Sequence, residues 1–199
     1  MKILDCIQGT PEWFAARCGI PSASNFDKII TTTGKPSTQK QKYLYQLAGE
    51  KITSKAEETY QNAAMQRGIE MEAEARQLYA LITGKEVTQV GLCMTEGKSI
   101  YAASPDGLVN ENGALEIKCP LIATHVGYLL NNILPTEYFI QTQGQLLVTD
   151  RKYVDFFSYY PGLKPLIVRV EPDKKFIKAL QIELEIFTEE LDKIVNKIK

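Results

Sequence analysis

Ser104-Pro105-Asp106-Gly107 and, ten residues after the aspartate, Glu116-Ile117-Lys118 within Gly113-Ala114-Leu115-Glu116-Ile117-Lys118-Cys119 form the stretch on which the fold turns. Apolar Leu115 and Ile117 alternate with Glu116 and Lys118. This period of two predicts a β-strand with a carboxylate and an ammonium on one face and aliphatic side chains on the other. The polar face is expected to be wet and the opposite face dry. Upstream, Ile100 to Ala103 read as a neighbouring strand and Pro105-Asp106-Gly107 as the turn region through which the chain returns. That path brings Asp106 alongside Glu116, so two hard oxygen ligands face one cation.

The pattern has the chemistry of phosphodiester hydrolysis. Magnesium takes one or two protein carboxylates and fills its other positions with water and phosphate oxygens, so Asp106 and Glu116 suffice to hold it against a nucleic-acid backbone. Lys118, two residues from a ligand, is placed to orient an attacking water, favour its deprotonation or stabilise charge on the phosphate. A surface hairpin with an exposed Glu/Lys pair satisfies the same short motif, so the rest of the chain has to decide.

With 199 residues, 44% of them hydrophobic, and no long Pro/Gly/Ser linker, the chain suits one domain over 1–199 with a sizeable core. No apolar run approaches the ~20 residues of a membrane span, and no basic segment followed by an apolar signal core opens it. A cytoplasmic protein is expected. Cys6, Cys18, Cys93 and Cys119 contain no C-x-x-C pair and read as small core residues, with neither a zinc site, a disulfide framework nor an iron-sulfur centre signalled. The lone His125 lies in the apolar-rich stretch 121–130 and reads as packed rather than catalytic. Net charge is -1, yet residues 28 to 55 hold six lysines (Lys28, Lys35, Lys40, Lys42, Lys51, Lys55) against Glu50 alone, a local +5. This cluster is the expected DNA-facing surface, although charge runs usually face water.

Thr10 with Pro11 marks a first short helix and Ser22 caps a second through Ile30, so the fold is expected to begin with helices. Helices are predicted over 40–53, about 56–83, 121–131, 136–147 and about 173–196. Strands are predicted over 87–92, 99–104, 113–119, 152–160 and 166–171. This is a mixed α/β chain. Glu72 in the long helix has Arg76 one turn later and on local grounds is equally an exposed i, i+4 ion pair. Glu70 and Glu74 lie about 200° away around the helix, on the opposite side. Arg17 offers a planar fork suited to a phosphate, with Ser22, Ser24 and Ser104 as hydroxyl donors, though caps and a surface pair explain the same residues.

Taken in order, the blocks Gly9-Thr10-Pro11-Glu12-Trp13-Phe14-Ala15-Ala16-Arg17, Ser22-Ala23-Ser24, Arg67-Gly68-Ile69-Glu70-Met71-Glu72, Ser104 to Lys118, and Gln141-Thr142-Gln143-Gly144-Gln145-Leu146 resemble the phage lambda exonuclease family of YqaJ-like viral recombinase nucleases. The resemblance runs over about three quarters of the chain. It implies a restriction-endonuclease-like core, a central mixed β-sheet flanked by α-helices. It implies that Glu72 joins Asp106, Glu116 and Ile117 at the metal, so that one or two Mg2+ ions bind, with Mn2+ as a substitute. It further implies that a glutamine of the Q-x-Q block, Gln143 by preference over Gln141, reaches the site. Arg17, Ser22, Ser24 and Ser104 match the family's 5'-phosphate pocket, with Trp13 as packing. The implied activity is 5'-to-3' exonucleolysis of one strand of double-stranded DNA, releasing mononucleotides and leaving a 3' tail for recombination. A homotrimeric ring around DNA and a phage single-strand annealing protein as partner are implied as well. A structure-selective endonuclease using the same site is the alternative enzyme, and a non-catalytic DNA-end-binding protein the alternative outside enzymes.

Overall fold

The computed structural model describes residues 1–56 and 63–199. Contrary to the expected helical beginning, the chain opens with a strand, β1 (Lys2–Leu4), followed by α1 (Pro11–Arg17), a 3-10 turn over Ala23–Lys28, α2 (Lys40–Thr53) and α3 (Ala63–Thr83). The part of the predicted long helix before residue 63 falls largely outside the described residues. Thr10 caps α1 by accepting from the Trp13 N–H, and Pro11 occupies its first turn. Ser22 makes no cap bond, because its hydroxyl is engaged by Arg17.

The segment predicted as one strand over 87–92 divides into β2 (Val87–Thr88) and β3 (Leu92–Met94), which join different sheets. Next come β4 (Ala102–Ala103), β5 (Gly107–Val109), β6 (Gly113–Lys118), α4 (Ile122–Asn131), α5 (Phe139–Thr149), β7 (Tyr153–Ser158), β8 (Leu166–Val170) and α6 (Lys174–Ile198). A small sheet has the order β1-β3-β4, and the main sheet the order β2-β5-β6-β7-β8. In the main sheet only β6 and β7 run parallel. A parallel pair cannot be joined by a tight turn, and the crossover is the α4–α5 segment.

The hairpin that carries the carboxylates is real, but its turn is elsewhere than the sequence suggested. β4 pairs with β3, not with β6. The strand opposite β6 is β5, in the register Gly107↔Leu115 to Val109↔Gly113. The reversal lies at 110–112, where Asn110 takes φ 46, a left-handed conformation that asparagine tolerates. Asp106 sits at the entry to β5 with its N–H donated to the Leu115 carbonyl at 2.9 Å, which leaves it next to Glu116.

Both faces of β6 are covered. Leu115 and Ile117 pack with Ala75 and Tyr79 of α3 and with Phe157. On the other face Ala114 packs with Leu146 of α5 and Val154. The expected wet face is therefore buried: Glu116 is 2% exposed. The largest core joins α2, α5 and α6 through residues such as Leu47, Val148 and Leu184. Among the described residues no helix is long and apolar enough to cross a membrane.

Candidate active site

Three elements converge on the carboxylates. The hairpin supplies Asp106, Glu116 and Lys118, α3 supplies Glu72, and α5 covers Glu116. One Asp106 carboxylate oxygen accepts the Ile117 N–H at 2.5 Å. Burial drives the Asp106 pKa well above its ordinary range, and the neighbouring charges of Glu116 and Glu72 push the same way against Lys118 and the Ile117 N–H. The Lys118 ammonium stands 2.5 Å from Glu116 Oε1 and over the Tyr138 ring, 5.1 Å from its centroid. Burial works against the Lys118 charge, yet Glu116 and Asp106 outweigh it and raise its pKa. The two carboxylates thus favour the charged form of Lys118.

Glu116 has donors on both oxygens. Gln141 donates to Oε1 at 2.6 Å and Gln145 to Oε2 at 2.5 Å. Gln143, the preferred glutamine of the sequence reading, faces elsewhere: it donates to the Glu171 carbonyl and accepts the Asp173 N–H, pinning the start of α6. Helical geometry explains the correction. Positions 141 and 145 are one turn apart on the same face, whereas 143 lies about 200° away from each. That spacing was the available signal for Gln145. With its amide nitrogen fixed on Glu116, the Gln145 Oε1 is a buried acceptor with no donor among the described residues.

Glu72 meets the site through charge as well as through an ion pair. Its carboxylate pairs with Arg76. Burial raises its pKa, Arg76 opposes the rise and Glu116 adds to it. Glu74 accepts from the Tyr159 hydroxyl and Glu70 from Gln66, so neither flanking glutamate shares these contacts.

The donor set fits a hard divalent cation. Among the described residues no three His, Cys, Asp or Glu side chains are gathered closely enough to close around an ion. Magnesium does not need three, because adjacent Asp106 and Glu116 carboxylates leave its remaining positions to waters and phosphate oxygens. Ile117, its N–H already donated to Asp106, has its carbonyl to offer. Burial first, and then the Glu116 and Glu72 charges, press the Asp106 pKa upward, and a cation at the site would offset both.

A second cluster adjoins the first. Arg17 donates to Ser22 Oγ at 2.7 Å and to Ser24 Oγ at 3.4 Å, and its guanidinium lies 4.3 Å from the centroid of the Trp13 ring. Burial lowers its pKa. Among the described residues no carboxylate forms an ion pair with it within 4 Å. A desolvated guanidinium among hydroxyls is a suitable receptor for a phosphate. Trp13 does more than pack, since its indole N–H donates to Ser104 Oγ at 3.1 Å. Ser104 therefore joins the cluster through Trp13. Asn25 and Gln8 were not anticipated: the Asn25 amide reaches Ser22 Oγ at 3.4 Å and the Gln8 amide donates to the Pro105 carbonyl.

Other expectations divide. Lys40 pairs with Glu183 and Glu190, and Lys51 with Asp192, so two of the six lysines fasten α2 to α6 instead of standing free for DNA. His125 is packed as expected, fully buried between Ser158 Oγ and the Lys164 carbonyl. Of the cysteines Cys93 is buried, while Cys6, Cys18 and Cys119 are only partly so.

The YqaJ-like viral recombinase domain pattern matches residues 12–152. The chain belongs to that family. Among solved structures, an alkaline exonuclease, LHK-Exo, from Laribacter hongkongensis is 36% identical with TM-score 0.86, covering 95% of this chain and 96% of that one. LHK-Exo in complex with dAMP matches as well, again at 36% identity and TM-score 0.86, covering 96% of each chain. A phage-related exonuclease from Haemophilus somnus 129PT shares the fold at TM-score 0.67 and 16% identity, over 90% of this chain and 96% of that one. An uncharacterised mimivirus protein, R354, is 31% identical over 111 residues. That alignment takes in 49% of this YqaJ-like chain and 20% of the viral protein's length. The mixed sheet flanked by helices is the fold of LHK-Exo.

Proposed function

We propose that this YqaJ-like chain is a Mg2+-dependent 5'-to-3' exonuclease on double-stranded DNA ends. It releases mononucleotides and leaves a 3' single-stranded tail for recombination by strand annealing. The observation that carries the reading is the union of the two clusters. Arg17 stacks on Trp13, Trp13 donates to Ser104, and Ser104 lies two residues before Asp106. A receptor for a terminal phosphate thus adjoins a carboxylate pair suited to magnesium. That LHK-Exo forms a complex with dAMP supports a nucleic-acid substrate.

Arg17 with Ser22, Ser24 and Ser104 grips the terminal phosphate and sets the register of the strand. Asp106, Glu116 and the Ile117 carbonyl hold the metal, with Glu72 beside them. Bound magnesium supplies Lewis acidity at the scissile phosphate and makes a neighbouring water more acidic. Lys118, kept cationic by Glu116 and Asp106, donates to the attacking water or to the phosphate as its charge grows. Gln141 and Gln145 fix the Glu116 carboxylate. The whole chain, 1–199, works as one nuclease domain in the cytoplasm, as a homotrimeric ring, with a single-strand annealing protein receiving the tail. Confinement within a ring suits a chain of net charge -1, for which phosphate contacts alone give weak retention.

The test uses end-labelled linear duplexes with 5'-phosphate or 5'-hydroxyl ends and a closed circle, with magnesium or EDTA. Phosphorylated linear ends are expected to be degraded fastest, and Arg17→Ala to remove most of that preference. A charge-assisted hydrogen bond of about 1.5–3 kcal/mol corresponds to roughly 10- to 150-fold. Efficient cutting of the closed circle overturns the exonuclease reading in favour of an endonuclease. Activity that persists in EDTA overturns the metal mechanism.

A further inference from the structure

We propose that Arg76 is a positioning residue of the metal site, one guanidinium holding the Glu72 carboxylate beside the Asp106/Glu116 pair while it locks α3 to the strand that carries Asp106. The inference rests on the reading of Asp106, Glu116 and Glu72 given above. Arg76 Nη2 donates to Glu72 Oε1, and Nε donates at 2.9 Å to the main-chain carbonyl of Asp106. The two acceptors belong to different elements. One lies a helical turn away on α3 and the other at the entry to β5, thirty residues on in sequence.

An ordinary i, i+4 pair on a helix surface has none of this. Such a pair is solvated on both sides and worth a few tenths of a kcal/mol, whereas the Arg76 side chain is 15% exposed and fastened at a second point outside its own helix. The planar fork lets one residue serve acceptors in two directions at once, which an ammonium on a flexible stem does not do rigidly. Lysine at this position would reach either the carboxylate or the carbonyl.

The charge arrangement gives the contact its purpose. Glu72, Glu116 and Asp106 repel one another. Lys118 is already committed to Glu116. Without a cation of its own, the Glu72 side chain is free to rotate toward solvent, since it is 31% exposed. Arg76 engages Oε1 and leaves Oε2 as the oxygen able to meet a cation or a water bound to one. Its bond to the Asp106 carbonyl fixes the main chain of a ligand residue at the same time. Outer partners of this kind, which orient ligands without touching the metal, typically contribute 10- to 100-fold in metal affinity.

The test is a double-mutant cycle read by calorimetric titration of the full chain with Mn2+, in wild type, Arg76→Gln, Glu72→Gln and the double variant. Arg76→Gln is expected to weaken Mn2+ binding about 10- to 100-fold. In the Glu72→Gln background its effect is expected to be at least several-fold smaller, because only the bond to the Asp106 carbonyl is left for it to act through. Arg76→Lys should recover part of the affinity. In turnover assays the Mg2+ concentration for half-maximal rate should rise, with the rate returning at saturating metal. Unchanged Mn2+ affinity in Arg76→Gln overturns the proposal, and so does an equal loss in both backgrounds, which is the behaviour of a plain brace between α3 and β5. Should Arg76→Gln fail to give a folded protein by circular dichroism, the same cycle is run with Arg76→Lys, where equal losses again overturn it. Wild type that neither binds Mn2+ nor degrades duplex ends would instead remove the reading of the site on which this inference stands.

Discussion

Replacing Asp106 with asparagine is expected to stabilise the metal-free protein while abolishing its response to metal. Asp106 bonds to the residues on either side of Glu116, the Leu115 carbonyl and the Ile117 N–H, so the two side chains are taken to start about 5 Å apart, as cross-strand neighbours do. Two unit charges at that distance repel by about 3 kcal/mol at an effective dielectric constant of about 20. Lys118, 2.5 Å from Glu116, and the Ile117 N–H offset roughly half of this, leaving a burden of about 1–2 kcal/mol. Asparagine removes the charge but keeps an oxygen to accept the Ile117 N–H. In EDTA at neutral pH, Asp106→Asn should therefore melt about 2–8 °C higher than wild type, at about 2–4 °C per kcal/mol for a chain of this size. With Mg2+ at about 100 times its dissociation constant, wild type should gain about 2.7 kcal/mol. The variant should gain almost nothing. Thermal unfolding followed by circular dichroism, with EDTA and with Mg2+, gives all four numbers. A lower melting temperature for the variant in EDTA, or an undiminished metal-induced rise, would refute the reasoning.

Gln141→Ala should cut turnover more than tenfold with a modest change in stability, while Gln143→Ala should do the reverse. Gln143 braces Glu171 and Asp173, and its loss leaves a part-buried carbonyl and N–H without their partner at about 1 kcal/mol; kinetics and melting on the purified pair decide this, with equal turnover losses counting against the assignment. Asp155, 1% exposed, accepts from Tyr79, Lys85 and Arg169. Burial alone would raise its pKa, but those partners outweigh it and depress the folded value, so the stabilisation is present above the unfolded carboxylate pKa of about 4 and is lost as pH falls through the folded one. Asp155→Ala should cost about 2–3 kcal/mol at pH 7, below the range for a fully buried pair because Arg169 is half-exposed. The gap to wild type should close on acidification; one that is flat from pH 7 to pH 3 would argue against this account. Mn2+ should replace Mg2+ in turnover, and Ca2+ should bind without fast cleavage, as read by calorimetry beside rate; Ca2+ turnover equal to Mg2+ would contradict the hard, water-activating role.

The alternation in Leu115-Glu116-Ile117-Lys118 was enough to place β6, because strand periodicity is local. Which strand faced β6 was not local. Ile100 to Ala103 are as strand-like as Gly107–Val109, and only the small sheet with β1 and β3 draws them away. The burial of Glu116 was hidden for a related reason. An alternating strand signals one polar face, but whether that face meets water depends on α5 crossing over it with Gln141 and Gln145. At Arg76 the sequence showed the contact with Glu72 and concealed its second half, since a main-chain carbonyl carries no sequence signature. In the lysine cluster composition counted two charges that α6 already matches, at Lys40 and Lys51.

The hydrogen bond from Trp13 to Ser104 has a consequence for the spacing of the two clusters. In the proposed binding mode, with the terminal phosphate on Arg17 and the metal at Asp106, Trp13 and Ser104 tie the two places together. Ser104 and Asp106 are two residues apart, and two residues of extended backbone reach at most about 7 Å. That is the scale of one nucleotide. The link between the clusters is short, and it is held taut by Pro105, whose fixed φ limits slack, and by Gln8 on its carbonyl. On the proposed reading the spacing of the two clusters is a property of backbone geometry, independent of which base arrives, and an inserted residue between Ser104 and Asp106 would shift the phosphate receptor relative to the carboxylates before it altered the chemistry.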